Sequence, residues 1–195
     1  MSRIDNSKYY DEVVARHGDS AQGVHWNSQK TQQRRFEVLL DFLKLDKYVS
    51  LVDVGCGFGA LYGYMNDKSV AFKAYLGIEI MASMVEAAQA KGINVCEGDV
   101  LSMSLPKADY YLCSGGMNIL NRDETMLFIQ RCLDASERGF VFNLLEGEDE
   151  SMVYNYFNPE EIEALADELG VKCQIKSGYL ERDFTVFLEK KKGNG

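Results

Sequence analysis

The sequence predicts an α/β fold: a mostly parallel sheet with an antiparallel last strand and helices on both faces. Short apolar runs alternate with amphipathic helical patterns, which is typical of βαβ units. The 195 residues are enough for one domain with a sizeable core. Near the C-terminus, two strand-like runs are separated by a connection too short for a helix, so they must pair as an antiparallel hairpin.

Seven strands are expected, and helix signals lie between them. Asn158, Pro159 and Glu161 are typical of a helix start, with a cap, a first-turn proline and a third-position acid. Gly170 predicts the end of that helix. The expected strands are Leu51–Val54, Ala74–Glu79, Asn94–Glu97, Tyr110–Cys113, Phe140–Leu145, Lys172–Lys176 and Phe184–Glu189.

Composition and charge exclude several classes of partner. The formal net charge is −9, so the chain should be repelled by nucleic acids and by anionic membranes. The five cysteines are scattered without a CxxC pair, and neither histidine lies at a metal-ligand spacing from another ligand, so no metal is expected. The charged N-terminus and the absence of a long apolar run favour a cytoplasmic location.

The stretch LVDVGCGFGA, residues 51–60, places an acid inside an apolar strand and follows it with three glycines in five positions. In an open α/β sheet, ligands bind at the carboxyl ends of the strands, where the strand order reverses. Gly55 and Gly57 allow a ligand to approach the backbone closely. Asp53, inside the strand, could hold the ammonium group of an amino-acid moiety.

Two further acids follow the next two strands. Glu79 ends the second strand, and Asp99 lies in the loop after the third. A carboxylate at the tip of the second strand can accept charge-assisted hydrogen bonds from both hydroxyls of a ribose. An acid at the third tip can accept a hydrogen bond from an adenine amino group. The order of glycine loop, acid and acid therefore indicates a site for an adenosyl compound.

These motifs resemble those of class I S-adenosylmethionine-dependent methyltransferases, which have a Rossmann-like fold. VDVGCGFG at 52–59 resembles the first motif of that family, Glu79 its ribose-binding acid, and GDV at 98–100 its adenine-side acid. The hairpin at 178–190 is similar to the antiparallel end of its sheet. The resemblance covers residues 45–190 and implies S-adenosylmethionine as cofactor and a small-molecule acceptor. The cofactor-binding residues it implies are Asp53, Gly55, Cys56, Gly57, Glu79, Ile80, Gly98, Asp99, Val100 and Ser114.

Two other interpretations stay open. Gly55, Gly57 and Ala60 also satisfy GxGxxA, a pattern of nicotinamide-dependent oxidoreductases. Asp53 inside the strand and the terminal hairpin favour a methyltransferase over this alternative. A non-catalytic methyltransferase-like binding module is the third interpretation, although such a scaffold has no physical need of the acids.

The catalytic residues are weakly specified by this chemistry. Methyl transfer from a sulfonium is an in-line displacement that mainly requires alignment, and a base is needed only for a protonated acceptor. The fourth strand leads into Ser114–Gly116 in place of the Asp/Asn-Pro-Pro-Tyr/Phe run of enzymes that methylate amino groups on adenine, which argues against DNA methylation. The sequence does not specify the acceptor or the oligomeric state. The weak catalytic candidates are His17, His25, Glu146, Tyr154 and Tyr156.

A single domain is expected to contain these elements. Residues 46–190 should form the methyltransferase domain, residues 1–45 a helical cap that is part of it, and residues 191–195 a tail. Tyr9, Tyr10 and Trp26, together with the two histidines, lie in the cap. We expect residues 1–35 to fold over the cofactor as a lid and to help close the acceptor pocket.

Overall fold

The computed structural model describes residues 29–148 and 154–191 of the chain. This part contains five helices and eight strands. His17, His25 and the other candidates of residues 1–28 lie outside this part. In chain order the elements are α1 (Gln29–Asp41), β1 (Ser50–Val54), α2 (Ala60–Asp67), β2 (Ala74–Glu79), α3 (Ala82–Ala90), β3 (Val95–Glu97), β4 (Ala108–Cys113), α4 (Arg122–Ala135), β5 (Ser136–Glu146), β6 (Tyr156–Phe157), α5 (Pro159–Leu169), β7 (Lys172–Ser177) and β8 (Asp183–Glu189).

The strands form one sheet in the order β3-β2-β1-β4-β5-β8-β7, and β6 pairs with the end of β5. All neighbouring pairs are parallel except those of β8, which runs antiparallel to both β5 and β7. The fold class predicted from the sequence is therefore confirmed, including the terminal hairpin. The strand order reverses between β1 and β4, so the loops that follow these two strands meet at the carboxyl edge of the sheet.

Two differences from the expected strands have local causes. β6 has only two residues and pairs in parallel with Leu145 and Glu146, so it carries no alternating pattern of its own. β5 begins at Ser136, four residues before the expected Phe140. Glu137 and Arg138 are exposed in this extension, and a polar start of this kind gives no strand signal.

The sheet is buried on both faces. One face, which we call the α1 face, packs against α1, α2 and α3, and Phe36, Leu39 and Leu61 of the helices contact the sheet side chains there. The opposite face packs against α4 and α5. The sheet side chains of the α1 face include Leu51, Tyr75, Tyr110, Leu112, Val141 and Phe187, and those of the opposite face include Val52, Ile78, Tyr111, Phe140, Phe142 and Phe184.

α4 and α5, the helices on the opposite face of the sheet, begin at the capping residues Asn121 and Asn158. The Glu124 backbone N–H donates to Asn121 Oδ1 at 2.9 Å, and the Asn121 backbone N–H donates to Glu124 Oε2 at 3.1 Å. At α5, the Asn158 backbone N–H donates to Glu161 Oε2 at 2.8 Å. Gly170 ends that helix with a φ of 67°. These local signals are strong because each satisfies backbone groups that the helix leaves unpaired.

The five cysteines of the chain are all free. Cys56, Cys113 and Cys132 are buried, and the other two are partly buried. Within the described ranges, none of the helices combines the length and the apolar character that crossing a membrane requires.

A substitution of Gly139 in β5 would show how closely the backbones of β5 and β8 pack at this position. A Cβ placed on Gly139 would lie 2.4 Å from the backbone oxygen of Leu188, which the sheet holds in place. We expect Gly139→Ala to lower the free energy of unfolding by about 1–3 kcal/mol. The control is Gly63→Ala in α2, where a Cβ meets nothing within 4 Å and should raise stability by about 0.5–1 kcal/mol. Urea unfolding of both variants measures this, and an unaltered midpoint for Gly139→Ala contradicts the prediction.

Candidate functional site

The glycine loop after β1 forms one wall of the site. Gly55 and Gly57 have φ values of 69° and 54°, which favour glycine at both positions. The Gly55 N–H donates to the backbone oxygen of Ile78 at 2.8 Å, so the loop is tied to the end of β2. A Cβ on Gly55 would lie 3.3 Å from Gly116 Cα. The loops after β1 and β4 therefore touch backbone to backbone, at the point where the strand order reverses.

Glu79 joins the glycine loop to the start of α3. Its Oε2 accepts a hydrogen bond from the Gly57 N–H at 2.9 Å. Its Oε1 accepts from the N–H groups of Ile80 at 2.8 Å and Met81 at 3.1 Å. Burial raises the pKa of this carboxyl group, and the three backbone donors oppose that shift. One carboxylate therefore fixes the conformation of two loops.

Asp53 lies on the same face of the sheet, one strand away. It is 2% exposed, and the Tyr75 hydroxyl donates to its Oδ2 at 2.7 Å. Loss of hydration raises the pKa of Asp53 to about 7, the Tyr75 hydrogen bond lowers it, and the charge of Glu79 raises it further. Within residues 29–148 and 154–191, no basic side chain forms an ion pair with Asp53. A buried acid in this state favours a cationic ligand group.

The loop after β3 completes the edge. The Gly98 N–H donates to the backbone oxygen of Glu79 at 2.9 Å, which places this loop beside the end of β2. Asp99 Oδ1 accepts from the Leu101 N–H at 2.9 Å, so this carboxylate stabilises its own turn. Val100 is buried, whereas Ile80 is 49% exposed. Ile80 therefore presents an apolar side chain at the edge that the acids occupy.

Two further predicted cofactor residues lie at the ends of β1 and β4. Cys56 is buried in the glycine loop, and its Sγ would lie 2.6 Å from a Cβ placed on Gly77. Burial and the charges of Asp53 and Glu79 raise the pKa of this thiol, so it acts as a small spacer. The Ser114 hydroxyl, just after β4, is buried and has no hydrogen-bond partner among the residues that the structure describes.

Three of the catalytic candidates, Glu146, Tyr154 and Tyr156, belong to the described part of the chain and lie farther along the same edge of the sheet. Glu146 ends β5, and Tyr156 begins β6 beside it. Tyr154 is partly buried just before β6. The Asn155 N–H donates to the backbone oxygen of Asn118 at 2.7 Å, which holds this segment against the loop after β4.

Sequence reasoning missed the groups that hold the acids in place. Tyr75 shares the α1 face with Asp53 and supplies its hydrogen bond, yet it lies in a strand where a tyrosine is an ordinary packing residue. The backbone donors to Glu79 carry no sequence signal at all. The only available clue to Tyr75 was its place two strand residues before Gly77, on the side of the strand that ends at Glu79.

Comparison with known proteins identifies the class of protein. Residues 51–139 match the family model described as a methyltransferase domain. This part of the chain is therefore similar to a methyltransferase domain, and the fold is the class I, Rossmann-like fold of the methyltransferases that it resembles. The resemblance inferred from the glycine loop and the two acids is confirmed at this level.

The relatives make the comparison more specific. Rv1506c of Mycobacterium tuberculosis, a provisionally named methyltransferase, is 35% identical over 106 residues, which cover 49% of this chain and 63% of that protein. The match therefore spans less than two thirds of that relative. Magnesium protoporphyrin IX methyltransferase from Synechocystis, with bound S-adenosylhomocysteine, has a TM-score of 0.71 at 16% identity over 97% of this chain and 98% of its own. Human N-acetylserotonin methyltransferase, in complex with S-adenosylmethionine, has a TM-score of 0.70 at 16% identity. The match covers 97% of this chain and 61% of that protein.

The buried Asp53 predicts a pH dependence of stability. The folded protein keeps the Asp53 proton up to about pH 7, whereas the unfolded chain releases it near its ordinary pKa of 3.8. Between these values the folded state binds more protons, so stability falls as the pH rises. Asp53→Asn should remove up to about 4 kcal/mol of this fall.

Urea unfolding from pH 4 to pH 8 measures the effect. Glu79, whose pKa burial also raises, leaves a residual slope of the same sign in the variant. Asp67→Asn, at an exposed position, is the control and should keep the native slope. A slope unchanged by Asp53→Asn shows that Asp53 is ionised in the folded protein.

Proposed function

We propose that the chain transfers a methyl group from S-adenosylmethionine to a small-molecule acceptor. The methyltransferase domain at 51–139 supports this, as do the cofactors named for two proteins of the same fold. The observation that carries the proposal is the pair of buried carboxylates, Asp53 and Glu79, beside a glycine loop that is hydrogen-bonded to β2 and contacts the loop after β4.

The cofactor would lie across this edge with its amino-acid end on β1. Asp53 would receive the ammonium group, which supplies the cation that the buried carboxylate lacks within the described residues. A carboxylate offers about four lone-pair positions. Three of these positions on Glu79 already accept backbone N–H groups, so we assign the remaining one, on Oε2, to a ribose hydroxyl. Gly55 and Gly57 would let the cofactor approach the loop.

The adenine would lie between β2 and β3. Ile80 offers an exposed apolar side chain, and the loop of Gly98, Asp99 and Val100 is held next to it through Glu79. Asp99 lies in this loop, and a carboxylate can accept a hydrogen bond from an adenine amino group. Ser114, whose hydroxyl is unpartnered, would face the methionine end.

Transfer itself needs few protein groups. When bound, S-adenosylmethionine would supply a methyl group on a positively charged sulfur; the nucleophile of the acceptor would bond to the methyl carbon while the carbon–sulfur electron pair moved to sulfur. Because the leaving group is good, alignment is the main contribution of the protein. A base is required only if the nucleophile carries a proton, and Glu146, Tyr154, Tyr156, His17 and His25 remain the candidates.

Several features support a small acceptor in a reducing compartment. The net charge of −9 opposes nucleic acid as substrate. The named substrates of the two solved relatives, magnesium protoporphyrin IX and N-acetylserotonin, are small molecules. Five free cysteines fit the cytoplasm. We propose residues 1–45, which include α1, as the cap of the domain 46–190, and residues 191–195 as its tail.

The proposal is tested by ligand-dependent thermal stability. We expect S-adenosylhomocysteine to raise the melting temperature and NADPH to leave it unchanged. Stabilisation should follow RT ln(1 + [L]/Kd), about 2.7 kcal/mol at a hundredfold excess over Kd. Stabilisation by NADPH alone would support the oxidoreductase interpretation, and stabilisation by neither would support a non-catalytic module. Transfer of label from tritiated S-adenosylmethionine to metabolite pools then identifies the acceptor.

A matched pair of acids tests the assignment of Glu79. Glu79 and Glu97 occupy paired positions at the ends of β2 and β3, but Glu97 is exposed. We expect Glu79→Gln to weaken S-adenosylhomocysteine about 10-fold or more, since it removes a charge-assisted hydrogen bond. Glu97→Gln should stay within about twofold, as expected for a charge that contacts no ligand. Calorimetric titration measures both, and equal affinities of the two variants contradict the assignment.

A further inference from the structure

Three buried side-chain atoms in the described part of the chain have no hydrogen-bond partner, and all three lie around the carboxyl ends of β4 and β5. They are Ser114 Oγ, Asn118 Oδ1 and Asn143 Oδ1. An unsatisfied polar atom in a protein interior is costly, so most are paired. Their common position beside the proposed cofactor indicates that a bound molecule completes them.

Asn143 is the most informative of the three, because a hydrogen-bond chain fixes its orientation. Arg35 pairs with Asp183 Oδ2, and the Tyr179 hydroxyl donates to Asp183 Oδ1 at 3.1 Å. The single Tyr179 proton is then used, so at the 2.7 Å contact between the Tyr179 and Thr185 hydroxyls Thr185 must be the donor. Thr185 Oγ1 in turn accepts from Asn143 Nδ2 at 3.0 Å.

All hydrogen bonds of this series point the same way, with each donor on the side of the Asn143 amide and each acceptor on the side of the Asp183 carboxylate. The amide nitrogen therefore donates to Thr185 and, at 3.5 Å, to the Tyr179 hydroxyl oxygen, and the free atom of Asn143 is its carbonyl oxygen, a pure acceptor. Asn143 and Thr185 are 1% and 0% exposed. The occupant of this position must donate a hydrogen bond, through a hydroxyl or an amino group.

The sheet register places this acceptor next to the cofactor site. Asn143 is two residues after Val141 and Asp53 two after Leu51, so both lie on the α1 face. Cys113 pairs with Phe142, and Ser114 therefore follows directly beside Asn143. β4 separates β1 from β5, so Asn143 lies about 10 Å across the sheet from the line of Asp53, at two strand spacings.

We propose that Asn143 Oδ1 is a specificity-determining hydrogen-bond acceptor, which binds a hydroxyl or amino hydrogen of the molecule to be methylated. The side chains that hold Asn143 in this orientation are Thr185, Tyr179, Asp183 and Arg35. The inference rests on the proposed function. It assigns the acceptor to the class of molecules with at least one hydrogen-bond donor, and excludes purely apolar or acceptor-only molecules.

The test compares isosteric probes on the protein saturated with S-adenosylhomocysteine. Phenol and aniline are each compared with toluene, in which a methyl group replaces the hydroxyl or the amino group. In the native protein we expect each donor to bind about threefold to tenfold tighter than toluene, as one hydrogen bond predicts. In Asn143→Leu that preference should vanish, while the affinity for S-adenosylhomocysteine stays unchanged. A preference that persists in Asn143→Leu, or equal binding of the donors and toluene to the native protein, overturns the proposal.

Stability separates this role from a structural one. Asn143→Leu removes an unsatisfied acceptor together with the hydrogen bond from Asn143 Nδ2 to Thr185. Its cost in stability should therefore be similar to that of Ser136→Ala, the control at the opposite end of β5, whose hydroxyl donates to the Leu133 oxygen at 2.7 Å. Asn143→Leu combined with Thr185→Val is the second variant if the first folds poorly.

A crystal structure of the native complex with S-adenosylhomocysteine, soaked in phenol, decides the case in which no probe binds in solution. A water or probe that donates to Asn143 Oδ1 supports the proposal. A donor from the protein chain, residues 1–28 included, overturns it. Failure of the proposed function is distinct, because S-adenosylhomocysteine would then not bind at all.

Discussion

The hydrogen bonds that Glu79 accepts hold the carboxyl edge of the sheet together. Gly57 belongs to the loop after β1, whereas Ile80 and Met81 lead into α3, and one carboxylate accepts N–H groups from all three. The backbone oxygen of Glu79 also accepts from Gly98, in the loop after β3. Three separate loops are therefore positioned by a single residue, and the shape of the proposed cofactor site depends on it.

This arrangement gives up stability for function. Asp53 and Glu79 are both buried, each is short of the cation that would compensate its burial within the described residues, and burial raises the pKa of both. Folded proteins tolerate such acids where a ligand supplies the missing charge. The ammonium group of the proposed cofactor would do so at Asp53, and the stability lost in the free protein would return as binding free energy.

The sequence predicted most of the fold because its signals are local. The apolar runs, the capping boxes at Asn121 and Asn158, and the short hairpin connection each act within a few residues. The glycine loop and Glu79 were predictable for the same reason. Tyr75 and the chain that orients Asn143 were not, because each joins residues far apart in sequence that only the sheet register brings together. Asp99 illustrates the limit, since its motif fits both a ligand-binding acid and an acid that stabilises its own turn, and the hydrogen bond from the Leu101 N–H shows the second role.

The antiparallel strand explains how a polar group reaches the acceptor side of the sheet. Every parallel strand here brings its last residues to the carboxyl edge, whereas β8 brings its first ones. Asp183 begins β8, and Tyr179 lies in the hairpin before it, so both lie at the carboxyl edge of the sheet, where we propose that the ligands bind. Arg35 reaches Asp183 from α1, which belongs to the proposed cap. A sheet of parallel strands alone would have placed the start of this strand at the opposite edge, and Asn143 would lack the partners that leave its carbonyl oxygen free.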